Sequence, residues 1–163
     1  MRRVATVPVW QKEEMREHLY KYLKELLKYD KSIKIDEFNN PEYKYFPYYF
    51  QDDDRYPFMF YIDDAVSGLA LVRKIKNKHH EIAEFYVLKE YRKDNNSMYF
   101  AARIASMFEG VIEFSSVENN KRAVAFWDKF SSRFNNPKRE VHRGYITWYV
   151  ENTKPAKKKK IKH

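Results

Sequence analysis

The sequence predicts an α+β fold, a mixed, mostly antiparallel and twisted sheet flanked by helices. Three observations predict it. The apolar spacing changes along the chain in the order helix, three strands, helix, strand, helix, strand, so antiparallel pairing comes first and a strand–helix–strand crossover later. The 163 residues are 44% hydrophobic, enough for one domain with its own core, assigned to residues 1–153. The chain has no cysteine, so stability has to come from packing and chemistry from oxygen and nitrogen groups.

The elements follow in order. Met15, Leu19, Tyr22, Leu23 and Leu26 recur at spacings of three and four within 11–29, with Lys and Glu between them, which is an amphipathic helix. From Tyr43 to Tyr61, just after Pro41, aromatic side chains are interrupted by Pro47 and Pro57 and by the triplet Asp52-Asp53-Asp54, an aromatic-rich connection rather than a helix. Three strands are expected at Phe58 to Ile62, Ser67 to Arg73 and Glu81 to Leu88, with turns at Asp63-Asp64 and at Lys76 to His80. Asn95, Asn96 and Ser97 offer cap chemistry to a second helix bearing Met98, Ala101, Ala102, Ala105 and Phe108, which Gly110 closes. Val111 to Val117 is a buried strand. Asn119-Asn120 then caps a helix carrying Ala123, Phe126, Trp127 and Phe130, and Gly144 to Val150 alternates as a last strand.

Charge and composition narrow the function classes. The formal net charge is +9, from 32 Lys+Arg against 23 Asp+Glu. Six of those lysines lie in 154–163, which leaves +3 for the rest. Like charges in a block repel, so this basic tail is expected to be disordered. Phosphate contacts through it would give nucleic-acid binding as one reading. No uninterrupted apolar run is long enough for a membrane span. The absence of cysteine fits a reducing, cytoplasmic setting. Neighbouring histidines on a turn rarely face one metal, and Asp52-Asp53-Asp54 lacks the spacing of a calcium loop, so no metal is expected. Only 3 glycines are present, which disfavours the common Gly-rich phosphate loops.

The run Ile82-Ala83-Glu84-Phe85-Tyr86-Val87-Leu88-Lys89-Glu90-Tyr91-Arg92-Lys93, followed by a helix, a strand and Asn119-Asn120-Lys121-Arg122-Ala123-Val124-Ala125-Phe126-Trp127, resembles the GNAT N-acetyltransferase superfamily over roughly 58–130. The resemblance implies a loop after the strand whose amides, at a helix N-terminus, hold the pyrophosphate of coenzyme A. That loop is Arg92-Lys93-Asp94-Asn95-Asn96-Ser97 here, with Asn95 and Ser97 where the family carries small residues, usually glycines. It implies acetyl-coenzyme A as co-substrate, held by Val87, Arg92, Lys93, Asn95, Asn96, Ser97, Met98 and Asn120. Glu84 is the implied general base toward an incoming amine. Trp127 stands where the family has a tyrosine that protonates the leaving thiolate, and an indole N–H cannot do so. Either Tyr86, Tyr99 or water takes that role, or the thiolate leaves unaided.

The sequence is therefore read as an acetyl-coenzyme A dependent N-acetyltransferase working by direct transfer to an amine. Its acceptor is a small molecule or a protein, with no membrane partner, and it acts as a monomer or homodimer. A GNAT-fold binding module without catalysis is the alternative, beside nucleic-acid binding through the tail. The acceptor pocket is expected from residues 30–57 and 131–146.

Overall fold

A computed structural model describes residues 1–153. The tail expected to be disordered lies outside the described residues. Seven strands form one sheet: β1 (Arg2–Thr6), β2 (Arg55–Ile62), β3 (Ala65–Lys76), β4 (His79–Val87), β5 (Gly110–Val117), β6 (Lys138–His142) and β7 (Tyr145–Asn152). Their order is β1-β2-β3-β4-β5-β7-β6. Every neighbouring pair is antiparallel except β4 with β5. The α-helices are α1 (Lys12–Leu26), α2 (Asn96–Ala105) and α3 (Lys121–Ser131). Parallel neighbours need a crossover, and α2 supplies it between β4 and β5.

The sheet is covered on both faces. Residues 69–72 of β3 are apolar in an unbroken run because Leu69 and Leu71 turn toward α1 while Ala70 and Val72 turn to the other side. The α1 face buries Met15, Leu19 and Leu23 with Phe46 and Tyr49 of the short 3-10 helix Phe46–Phe50. The opposite face buries Phe100, Ile104, Trp127 and Phe130 of α2 and α3 on Phe60, Phe114 and Trp148. Asp128 of α3 ties this layer to the sheet by accepting from Trp148 Nε1 at 2.9 Å and Arg139 Nε at 3.0 Å.

Five strands answer to the expected ones, and β1 and β6 are additions. Both lie at the sheet edges and pair on one side only, and charge equals apolar side chain in β1 and exceeds it in β6, so neither leaves a strand signature in the sequence. The expected turn at His79-His80 is corrected: both residues begin β4, and Lys78 makes the turn at φ 58. His80 sits 4.4 Å from the Phe108 ring, and apolar packing there outweighs the polar look of the segment. The first helix ends at Leu26 rather than Tyr29. Gly110 opens β5 instead of closing α2, at φ 97, where an added Cβ would stand 2.1 Å from the Lys78 carbonyl oxygen.

The two positive-φ glycines should therefore respond differently to alanine. Gly144→Ala, at φ 83 with open space around it, should cost about 1–2 kcal/mol for the left-handed backbone alone. Gly110→Ala adds a backbone clash and should cost clearly more, as read from urea unfolding midpoints at unchanged slope.

Candidate active site

The site begins where a pairing ends. β4 and β5 hydrogen-bond as parallel neighbours only from His79 and Val111 to Ile82 and Phe114. Beyond that point the strands diverge, and among the described residues no strand lies beside the β4 edge from Ala83 to Val87 on that side. The β3 register skips Ala83, pairing Val72 with Ile82 and Leu71 with Glu84. This bulge changes the phase of the strand. Without it Glu84 would share the face of Ile82, inside the α2 and α3 core. With it Glu84, Tyr86 and Leu88 look toward α1 while Phe85 and Val87 join the opposite core.

Glu84 is held by α1 and by the segment that follows. Tyr22 Oη donates to Glu84 Oε1 at 2.7 Å, and Tyr43 donates to the same carboxylate. Burial dominates its titration. It pushes Glu84 from the ordinary 4.5 up to about 7, against the two tyrosine hydrogen bonds that favour the charged form. A carboxylate poised there exchanges protons near neutrality.

Tyr86, two residues on, belongs to a second network. Its hydroxyl donates to Glu25 Oε2 at 2.8 Å, and Arg92 Nη2 donates to Glu25 Oε1 at 2.8 Å. Arg92 Nε in turn donates to the Val87 carbonyl at 2.7 Å. Burial, joined by the hydrogen bond and charge of Glu25, raises the Tyr86 hydroxyl well above its usual range. For Glu25, burial is outweighed by the hydrogen bonds from Arg92 and Tyr86 and by the charges of Arg92 and Arg122, so its carboxyl falls below the usual value.

Two adjoining cavities occupy the divergence, and they share Tyr22, Leu26, Phe85, Asn120, Ala123 and Trp127. The first, about 290 Å³, reaches Tyr86, Val87, Arg92, Ser97 and Arg122. The second, about 300 Å³, reaches Glu84, Asp30, Glu42, Tyr43 and Tyr145. The loop between β4 and α2 turns through left-handed backbone at Asp94 (φ 54) and Asn95 (φ 61). Asp and Asn tolerate that conformation best among non-glycine residues. Asn95 makes no side-chain cap on α2; the Asn96 amide donates to the Lys93 carbonyl at 3.0 Å, and the next amides, of Ser97 and Met98, keep their capacity for an anion.

The sequence-derived residues are thus sorted by the fold. Glu84, Tyr86, Val87, Arg92, Ser97 and Asn120 come together around the cavities. The Lys93 and Asn95 side chains are exposed on the loop, and Met98 is core. Asn96 is buried, donating to Tyr91 O at 3.0 Å, which pins the loop. Asn120 caps α3 by accepting from Ala123 N–H at 3.2 Å. Tyr99 lines neither cavity, since it stacks under Arg2 with the guanidinium 4.1 Å from its ring. Asp52-Asp53-Asp54 also lies outside both. Sequence reasoning missed Tyr22, Glu25 and Arg122 as site residues, while Asp30, Glu42 and Tyr43 fall within the segment 30–57 expected for the acceptor pocket without having been singled out. Of the missed residues only Glu25 carried a signal, as an acid close to the apolar stripe of α1.

The acetyltransferase (GNAT) family model matches residues 13–131. No curated protein sequence matches the chain. Among solved structures, a PaiA N-acetyltransferase from Thermoplasma acidophilum in complex with coenzyme A is 12% identical, with a TM-score of 0.63 over 93% of this chain and 99% of that one. An acetyltransferase from Thermus thermophilus is 13% identical, with a TM-score of 0.66 over 93% and 96%. The ribosomal-protein-S18-alanine N-acetyltransferase from Escherichia coli is 9% identical, with a TM-score of 0.65 over 94% and 95%. At such identities the likeness is one of fold.

Glu84 makes a pH-dependent contribution of defined sign. Its folded value lies above its unfolded one, so its contribution to stability is complete below about pH 4.5 and is lost as pH rises toward 7. Glu84→Gln lacks this loss. The Tm of the variant minus that of the parent should grow between those pH values and stay level above them, and a difference independent of pH would contradict the burial described.

Proposed function

This chain belongs to the acetyltransferase (GNAT) family, and from that premise we propose that it transfers an acetyl group from acetyl-coenzyme A directly to an amine, with Glu84 as the general base. The observation that carries this reading is a carboxyl poised near neutrality beside the opening between β4 and β5. An amine attacks only as the neutral base, and a group of that pKa removes its proton at physiological pH.

Acetyl-coenzyme A, when bound, supplies the activated acyl group. The chain's own features fit such a ligand. The α2 amides of Ser97 and Met98 and the side chains of Arg92 and Lys93 suit a pyrophosphate, with Asn95 giving the loop its turn and Asn96 pinning it through its bonds to the Tyr91 and Lys93 carbonyls. Arg122 adds a further cation to the same cavity. The backbone of Val87, on the strand edge without a partner strand, suits amide groups of an extended arm, and Asn120 stands at the shared wall. Tyr86 Oη stands on this side with Glu25 orienting it, and this placement makes it the hydroxyl assigned to a departing thiolate. Trp127, buried at 5% exposure among Phe85, Phe114 and Phe130, serves as wall. With no cysteine in the sequence, direct transfer needs no thiol intermediate.

Calorimetric titration with acetyl-coenzyme A should show saturable binding. Glu84→Gln should keep that affinity yet lower kcat/KM with an amine acceptor by about 10²–10⁴, and should abolish the limb of the pH–rate profile near 7. Unaltered turnover in the variant would remove Glu84 from the mechanism.

A further inference from the structure

The two adjoining cavities carry opposite charge. The one next to the α2 amides has Arg92 and Arg122 with Glu25 between them. The one that holds Glu84 is walled by two further carboxylates, Asp30 and Glu42, and by no lysine, arginine or histidine. In a chain where 32 Lys+Arg outnumber 23 Asp+Glu, a cavity of about 300 Å³ with three acids and no base is a marked local reversal.

Among the described residues no cationic side chain is paired with it. Asp30 Oδ1 accepts from Ser32 N–H at 3.0 Å and from Ser32 Oγ at 2.6 Å, and Asp30 Oδ2 accepts from Tyr145 Oη at 3.4 Å. Glu84 accepts from Tyr22 and Tyr43. These donors are all uncharged, so they orient the carboxylates and leave the charge in place. Among the described residues no ion pair includes Asp30, Glu42 or Glu84. Asp30 and Glu84 feel each other as like charges.

The chemistry then restricts the acceptor. If Glu84 is the base, as the acetyl-transfer reading has it, the reacting nitrogen gives up its positive charge to react. The charge that matches Asp30 and Glu42 must therefore sit elsewhere in the acceptor. The same cavity has apolar walls at Leu23, Leu26 and Ile33 and aromatic ones at Tyr43, Phe85 and Tyr145, which suit methylene groups and an ammonium near ring faces. An acceptor bearing its own carboxylate meets repulsion there.

We propose that this cavity selects an amine with a second positive charge, of the alkyl diamine or polyamine class, with Asp30 and Glu42 engaging the nitrogen that does not react. The inference rests on the acetyl-transfer reading only for the role of Glu84.

Three probes of equal length separate charge from shape: diaminobutane, n-butylamine and aminobutyrate, titrated calorimetrically into the full chain at low salt, with acetyl-coenzyme A titrated separately. Diaminobutane should bind about ten-fold or more tightly than n-butylamine, with aminobutyrate weakest. The Asp30→Asn, Glu42→Gln double variant should close that gap while leaving the Tm and the acetyl-coenzyme A affinity unchanged. Equal affinities, preference for aminobutyrate, or no binding of any probe would overturn the proposal, as would a gap that survives the double variant. If the diamine preference holds and acetyl-coenzyme A does not bind, the acetyl-transfer reading falls and the charge selection stands.

Discussion

The short parallel contact between β4 and β5 is the constraint on which the rest of the molecule depends. It ends at Ile82 and Phe114, and the two cavities open at that point. Backbone groups of β4 that a longer pairing would have consumed face a cavity instead. One of them, the Val87 carbonyl, already accepts from Arg92, which shows that side chains must fill what the sheet leaves open. The divergence is floored by aromatic packing, since Phe85 lies 5.2 Å from Trp127 and Trp127 lies 4.4 Å from Phe114. Rings of that size bury large apolar areas and support the gap without hydrogen bonds of their own.

The bulge at Ala83 acts on the same strand to aim its side chains. A strand alternates strictly, so a single inserted residue is the smallest change that moves an acid from one face to the other. Here it delivers Glu84 to the tyrosines of α1 and the connection rather than to the core of α2 and α3. Placement then sets proton affinity. Glu84, buried against neutral donors, rises to about 7, while Glu25, paired with Arg92 and near Arg122, falls. Two carboxylates on the two sides of one opening are driven apart in proton affinity, Glu84 by burial and Glu25 by its cationic and hydrogen-bonding partners.

Most of the central sheet was legible because β2, β3, β4 and β5 are covered on one or both faces and so must carry apolar runs. The edges were not, since β1 and β6 are held by backbone pairing that any side chain permits. The loop at Asp94 and Asn95 was legible only as a departure from a glycine pattern, and its left-handed backbone shows the same turn made by residues that tolerate it. Glu84 stood out as one acid in an apolar strand. Its partners Tyr22 and Tyr43 did not, because a tyrosine on an apolar stripe reads as core until its hydroxyl is given something to reach.

The amino-acid sequence by itself determined the order of the elements, the two-sided core, and the family, since periodicity and local motifs are properties of neighbouring residues. Tertiary structure alone decided which charges meet. Asp30, Glu42 and Glu84 come from three separate segments, and so do Glu25, Tyr86 and Arg122. Coulombic and hydrogen-bonding energies depend on distance in space, which sequence separation does not encode. That is why one opening can hold a cationic half and an anionic half within a chain whose composition records only a basic excess.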